Sequence, residues 1–189
     1  MMIGNEQKLR AALIEDHLTF AGTDGILVLT EDEVDAKLRS ASIHGAVSGS
    51  LLVRLHNYAP LPNMAKRDKI YGYYQKCDYA LFTEVDDVPI VFFIEMKSRN
   101  VEEKEVVQQL KGGACIVDYI FGFVLRFLGI PKIDYQERYV VFYRSKAIPL
   151  PPPTRLPFSG RQCNTDPGSP IALPDPDTKR YTVQNLIRN

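Results

Sequence analysis

Two runs rich in aromatic and β-branched side chains, Lys76 to Val85 and Val88 to Lys97, stand on either side of Asp86-Asp87. Such runs suit a pleated, half-buried surface, and an acidic dipeptide between them suits a tight turn, so a β-hairpin is expected. If the loop has two residues, Val85 faces Val88 and the register follows down the ribbon until Asp78 lies opposite Glu95. Directly opposed residues share a face, and Lys97, two residues beyond Glu95, shares it as well. At an effective dielectric near 20, two carboxylates about 5 Å apart repel by roughly 3 kcal/mol. Lys97 offsets part of this, and a divalent cation such as Mg²⁺, which favours carboxylate and carbonyl oxygens, is the natural candidate for the rest. The strand into Glu95, Ile90-Val91-Phe92-Phe93-Ile94, is continuously apolar, as in a central strand covered on both faces.

Around the hairpin the expected elements are an N-terminal helix over about Glu6 to Leu18 capped by Asn5, a strand over Ile26 to Leu29, and a helix to about Ser40 opened by a Thr30/Glu33 capping box. A strand over Ser50 to Asn57 precedes the hairpin. A helix follows Asn100, with a potential kink at Gly112-Gly113, and Gly129 and Pro131 stop it. Tyr139 to Arg144 supplies a last core strand. The most apolar run, Ala114 to Ile130, contains Asp118 and Arg126 and is short of the roughly 20 clean apolar residues of a membrane span, so it is expected as a buried helix.

Nine of the 13 prolines lie between Pro149 and Pro176, which argues against helix there and against most strand. The folded domain is therefore expected over residues 1–146, with 147–189 as a proline-rich arm that wraps its own domain or a dimer mate, or else touches a nucleic-acid backbone. Arg144 to Asn189 holds seven basic and three acidic residues, although the whole chain balances 23 against 23. A polycation held to nucleic acid by bulk charge is excluded, so any polyanion contact must be local. The three cysteines include no Cys-x-x-Cys pair, and the N-terminus turns polar by Asn5-Glu6, with neither the basic region nor the apolar stretch of a signal peptide. Together these point to a reducing, cytoplasmic setting with no disulfide scaffold.

Asp78, then Glu95-Met96-Lys97 closing an apolar strand, then a helix carrying Gln108, resembles the PD-(D/E)XK nuclease superfamily, the restriction-endonuclease-like fold. The resemblance spans about Glu6 to Arg144 and implies an α/β fold, an αβββαβ core whose mixed central sheet is flanked by helices. It implies Asp78 and Glu95 as ligands of Mg²⁺ (or Mn²⁺), Met96 as a carbonyl ligand and Lys97 acting on the attacking water. Gln108 would assist the lysine or substrate, and Glu6, the best-facing acid of the first helix, would complete the site. Cys77 stands where the pattern has proline, and Gly112 where its RecB-like branch has tyrosine. The implied activity is metal-dependent phosphodiester hydrolysis, endonucleolytic and on DNA, in host defence or repair, by a homodimer. The bare Glu-x-Lys triplet is not distinctive, because it recurs at Glu6-Gln7-Lys8 and Glu102-Glu103-Lys104.

Lys66, Arg67, Lys69 and Lys76 are interleaved with Tyr71, Tyr73 and Tyr74 just before Asp78. That mixture suits a phosphate backbone and stacked bases, and equally a solvated loop. Lys104 and Lys111 share a helix face with Gln108 and are further candidates for phosphate contact. The competing functions are a catalytically silent nuclease-like module that binds nucleic acid or a partner protein, and a nuclease subunit that awaits an activating partner.

Overall fold

The computed structural model describes residues 8, 15–31, 36, 38–55, 75–98, 102–131, 134–144, 164–176 and 178–187. Six strands form one mixed sheet in the order β1 (Leu18–Phe20), β4 (Leu51–Arg54), β5 (Tyr79–Val85), β6 (Val88–Lys97), β7 (Gln136–Tyr143) and β8 (Ile171–Pro174). The first four run antiparallel to their neighbours, whereas β6, β7 and β8 are parallel. Parallel neighbours need a crossover, and between β6 and β7 it is α1 (Glu103–Leu128). A second sheet sets β3 (Ser40–His44) between β2 (Leu27–Thr30) and β9 (Tyr181–Thr182).

The hairpin forms as its sequence requires. Asp86 and Asp87 both take left-handed φ, 51° and 63°, the conformation that matches a two-residue turn to the twist of its strands. Val85 pairs with Val88 and Tyr79 with Ile94. Seven successive β6 residues, Ile90 to Met96, are buried, because both faces of the sheet are covered. On one face Phe82, Val91, Phe93 and Val141 pack against Val106, Leu110, Val117 and Phe121 of α1. On the other, Leu81, Phe92, Ile94 and Phe142 pack with Leu27, Leu29 and Ile43 of the small sheet.

Several expectations need correction. Residues 164–187 wrap their own domain, but as part of its sheets and core and not as an arm beyond a boundary at 146: β8 extends the large sheet, β9 extends the small one, and Ile171, Leu173, Tyr181, Val183 and Leu186 join the core. Prolines do not prevent this, because Pro170 precedes β8 and Pro174 ends it at the sheet edge, where proline is tolerated. Asn164 pins the returning chain: its amide donates to the carbonyls of Tyr139 (3.2 Å) and Leu186 (2.7 Å), and its own carbonyl accepts from Tyr139 N–H (2.9 Å). Residues 145–163, which include the expected boundary, lie outside the described residues.

Leu18 opens β1 after a 3₁₀ turn at Glu15–His17 instead of closing a helix. Thr30 ends β2 and Ser40 begins β3, while residues 32–35 and 37, the body of the helix expected between them, lie outside the described residues. Thr30 is used by its neighbours: its carbonyl accepts from Tyr79 Oη (2.5 Å) and its hydroxyl accepts from Arg54. α1 runs unbroken through Gly112-Gly113, and the left-handed Gly129 (φ 64°) ends it with Ile130 N–H donating to the Leu125 carbonyl (2.8 Å). Its apolar run is not wholly buried, because Tyr119, Phe123 and Phe127 are exposed. No helix among the described residues is long and apolar enough to cross a membrane.

Candidate active site

Alternation along β6 places Glu95 and Lys97 on the sheet face covered by α1, in line with Val91 and Phe93, and Asp78 stands just before β5 at the same end of the hairpin. The β5–β6 ladder closes at Tyr79 opposite Ile94. At the next step the Asp78 carbonyl accepts Leu55 N–H (2.7 Å), and Asp78 Oδ2 accepts Met96 N–H (2.7 Å). One residue thereby ties the open end of the hairpin to both neighbouring strands. Met96 turns its side chain into the opposite core.

Glu95 is only 2% exposed, and its Oε1 lies 2.9 Å from Lys97 Nζ. Its Oε2 is buried and meets no hydrogen-bond donor among the described residues. A buried acceptor left unmade costs about 1–3 kcal/mol, more when charged. Burial, and then the Asp78 charge, push the Glu95 carboxyl well above its ordinary range, against the pull of Lys97. Burial alone would lower the Lys97 ammonium, but Glu95 and Glu105 outweigh it and hold the group above its usual value, so it stays protonated.

Glu105, in the first turn of α1, lies with Oε1 3.1 Å from Lys97 Nζ. Sequence reasoning missed it. Its one available signal is its place on the first turn after the strand that ends in Lys97. Gln108 lies half-buried on α1, and the Lys97 ammonium is held by Glu95 and Glu105 instead. The neighbouring Gln109 has a buried Oε1 without a hydrogen-bond partner among the described residues.

The segment leading to Asp78 is set by α1. A Cβ at Gly112 would fall 1.7 Å from the Gln75 carbonyl oxygen, and one at Gly113 would fall 2.2 Å from Cys77 Sγ. Only glycine at both positions lets the helix lie directly on Gln75–Cys77, which delivers Asp78 to the end of β5. Of the expected basic residues, Lys76 is half-buried beside Asp78 in sequence, and burial lowers its ammonium pKa. Lys104 and Lys111 are exposed on α1. Glu6, Lys66, Arg67 and Lys69 lie outside the described residues.

Among the described residues no group of three or more His, Cys, Asp or Glu side chains is placed to hold a metal ion. Of the two carboxylates at this end of the hairpin, Asp78 Oδ2 is taken by Met96 N–H and Glu95 Oε1 by Lys97. The chain matches no protein-family model, no curated protein and no solved structure.

Proposed function

We propose that this chain is a Mg²⁺-dependent phosphodiester hydrolase of the PD-(D/E)XK kind, cutting nucleic acid, with DNA as the first substrate to test. The observation that carries the reading is the buried Glu95 Oε2, which meets no donor among the described residues and lies within the field of the Asp78 carboxylate. Such an oxygen fits a cation. Asp78 and Glu95 would hold the ion, with the Met96 carbonyl next to them in sequence, and Mn²⁺ would substitute. When bound, the ion supplies Lewis-acid stabilisation to a phosphodiester under attack. The order β4-β5-β6-α1-β7 supports the βββαβ part of the resembled core, while the preceding helix falls largely in residues that are not described.

The chain's own residues divide the remaining work. Lys97 stays an ammonium between two carboxylates, so it acts as a donor, not as a base: it orients water and meets phosphate charge. Glu105 fixes its direction from the helix side. The buried setting of Glu95 excludes water and strengthens each of these contacts.

The test is cleavage of plasmid and linear DNA in Mg²⁺, with EDTA as control, by the parent chain and by Asp78→Ala, Glu95→Ala and Lys97→Ala. Each variant is expected to lose activity by at least about 10²-fold, the order seen when a single electrostatic contributor is removed, while its circular dichroism is unchanged. A Glu95→Ala protein that cuts as well as the parent ends this reading.

A further inference from the structure

Three aromatic rings stand in a row on the solvent side of α1. Tyr119, Phe123 and Phe127 are 51%, 53% and 74% exposed, although an apolar ring on a helix normally faces the core. They recur every fourth residue and contact one another, with centroids 6.4 Å apart at an interplanar angle of 29° and 4.4 Å apart at 34°. The monomer gains little from holding three large rings in water.

Helical steps of about 100° per residue place Lys104, Lys111 and Arg126, all exposed, along a line beside these rings. Asp118 lies beyond that line, away from the rings, and accepts from Tyr135 Oη (2.9 Å). The same steps put Glu105, which holds Lys97, on the flank that the rings continue. Tyr119 follows Glu105 by 14 residues, about 21 Å of helix axis; Gln75 lies on Gly112 midway along that flank, so a strand from the site reaches the rings along the Lys104–Lys111 side, a distance that a few nucleotides can cover. Flat rings accept any base, and a row of cations follows a phosphate backbone.

We propose that this aromatic ladder is a stacking platform for single-stranded nucleic acid. The strand runs from the Asp78–Glu95 end along α1, with bases against Tyr119, Phe123 and Phe127 and phosphates toward Lys111 and Arg126. The direction of the strand rests on the phosphodiesterase reading, but binding by the ladder does not. The substrate this implies is single-stranded, or a duplex end or flap with an unpaired tail.

Binding of fluorescein-labelled oligo(dT) to the full chain is measured by anisotropy in EDTA, where metal-dependent cutting is absent. Phe123→Leu and Phe127→Leu are each expected to weaken binding about tenfold, within the range for one lost stacking contact, and Phe127→Trp to retain it. Lys111→Gln and Arg126→Gln should each reduce the slope of log K against log salt by about 0.7. The proposal is overturned if the parent does not bind the oligonucleotide, or if the leucine variants bind within twofold of it. It is also overturned if Phe123→Leu/Phe127→Leu converts a dimer to a monomer in sedimentation, which would assign the ladder to a second copy of the chain. A chain that binds through the ladder but cuts nothing in Mg²⁺ keeps this proposal and loses the hydrolase. The reverse result separates them the other way.

Discussion

Glu95 sits where a carboxylate is hard to keep charged: buried, close to Asp78, with one oxygen on Lys97 and the other unmatched. A raised folded-state pKa means that the native protein binds this proton more tightly than the unfolded chain does. The contribution is thus favourable at low pH and falls as pH rises from the usual glutamate range through the raised value. Mg²⁺ needs the deprotonated form, so it should remove this penalty. The expected result is a melting temperature that rises in millimolar Mg²⁺, with the shift growing from pH 5 to pH 8. Saturation at ten times Kd corresponds to about 1.4 kcal/mol. Differential scanning fluorimetry of the parent and Glu95→Ala checks this; equal Mg²⁺ shifts in the two proteins would place the ion elsewhere. Lys97, clamped by carboxylates from β6 and α1, should stay charged throughout that range.

At the scale of elements, α1 reaches the site by lying flat on Gln75–Cys77. Gly112→Ala puts a methyl group 1.7 Å from a backbone oxygen, and a backbone atom cannot swing aside as a side chain can. The helix and the segment before Asp78 must separate, at a cost of about 1–3 kcal/mol as in other overpacked cores. Urea unfolding should show a lower midpoint. Because Asp78 moves with that segment, cleavage should fall further than stability does. Gly122→Ala is the matched control: its Cβ would meet nothing within 4 Å, and relief of the glycine entropy cost should leave stability equal or up to about 1 kcal/mol higher. If Gly112→Ala melts like the parent, the helix is not what positions Asp78.

On the scale of the whole molecule, the C-terminal segment closes both sheets. Removing residues 147–189 would expose the β7 edge and strip Tyr181, Val183 and Leu186 from the core shared by the two sheets. The expected product is an aggregating or unfolded chain, read from soluble yield and circular dichroism; a soluble, cooperatively melting 1–146 fragment would restore the picture of a dispensable arm. The hairpin was legible from sequence because its determinants are local: a two-residue turn sets the register, and strict alternation then assigns each side chain to a face. For the same reason the face shared by Glu95 and Lys97 could be read in advance, and so could the stop at Gly129. The capping role expected of Thr30 is only a local preference, and Tyr79 and Arg54, distant in sequence, claim its carbonyl and hydroxyl. Glu105 as the second partner of Lys97, the unmatched Glu95 oxygen, the rings left in water on α1 and the return of residues 164–187 to the sheets were decided by tertiary structure. Each depends on which surfaces meet across long chain separations, a matter of packing and burial that neither periodicity nor composition encodes.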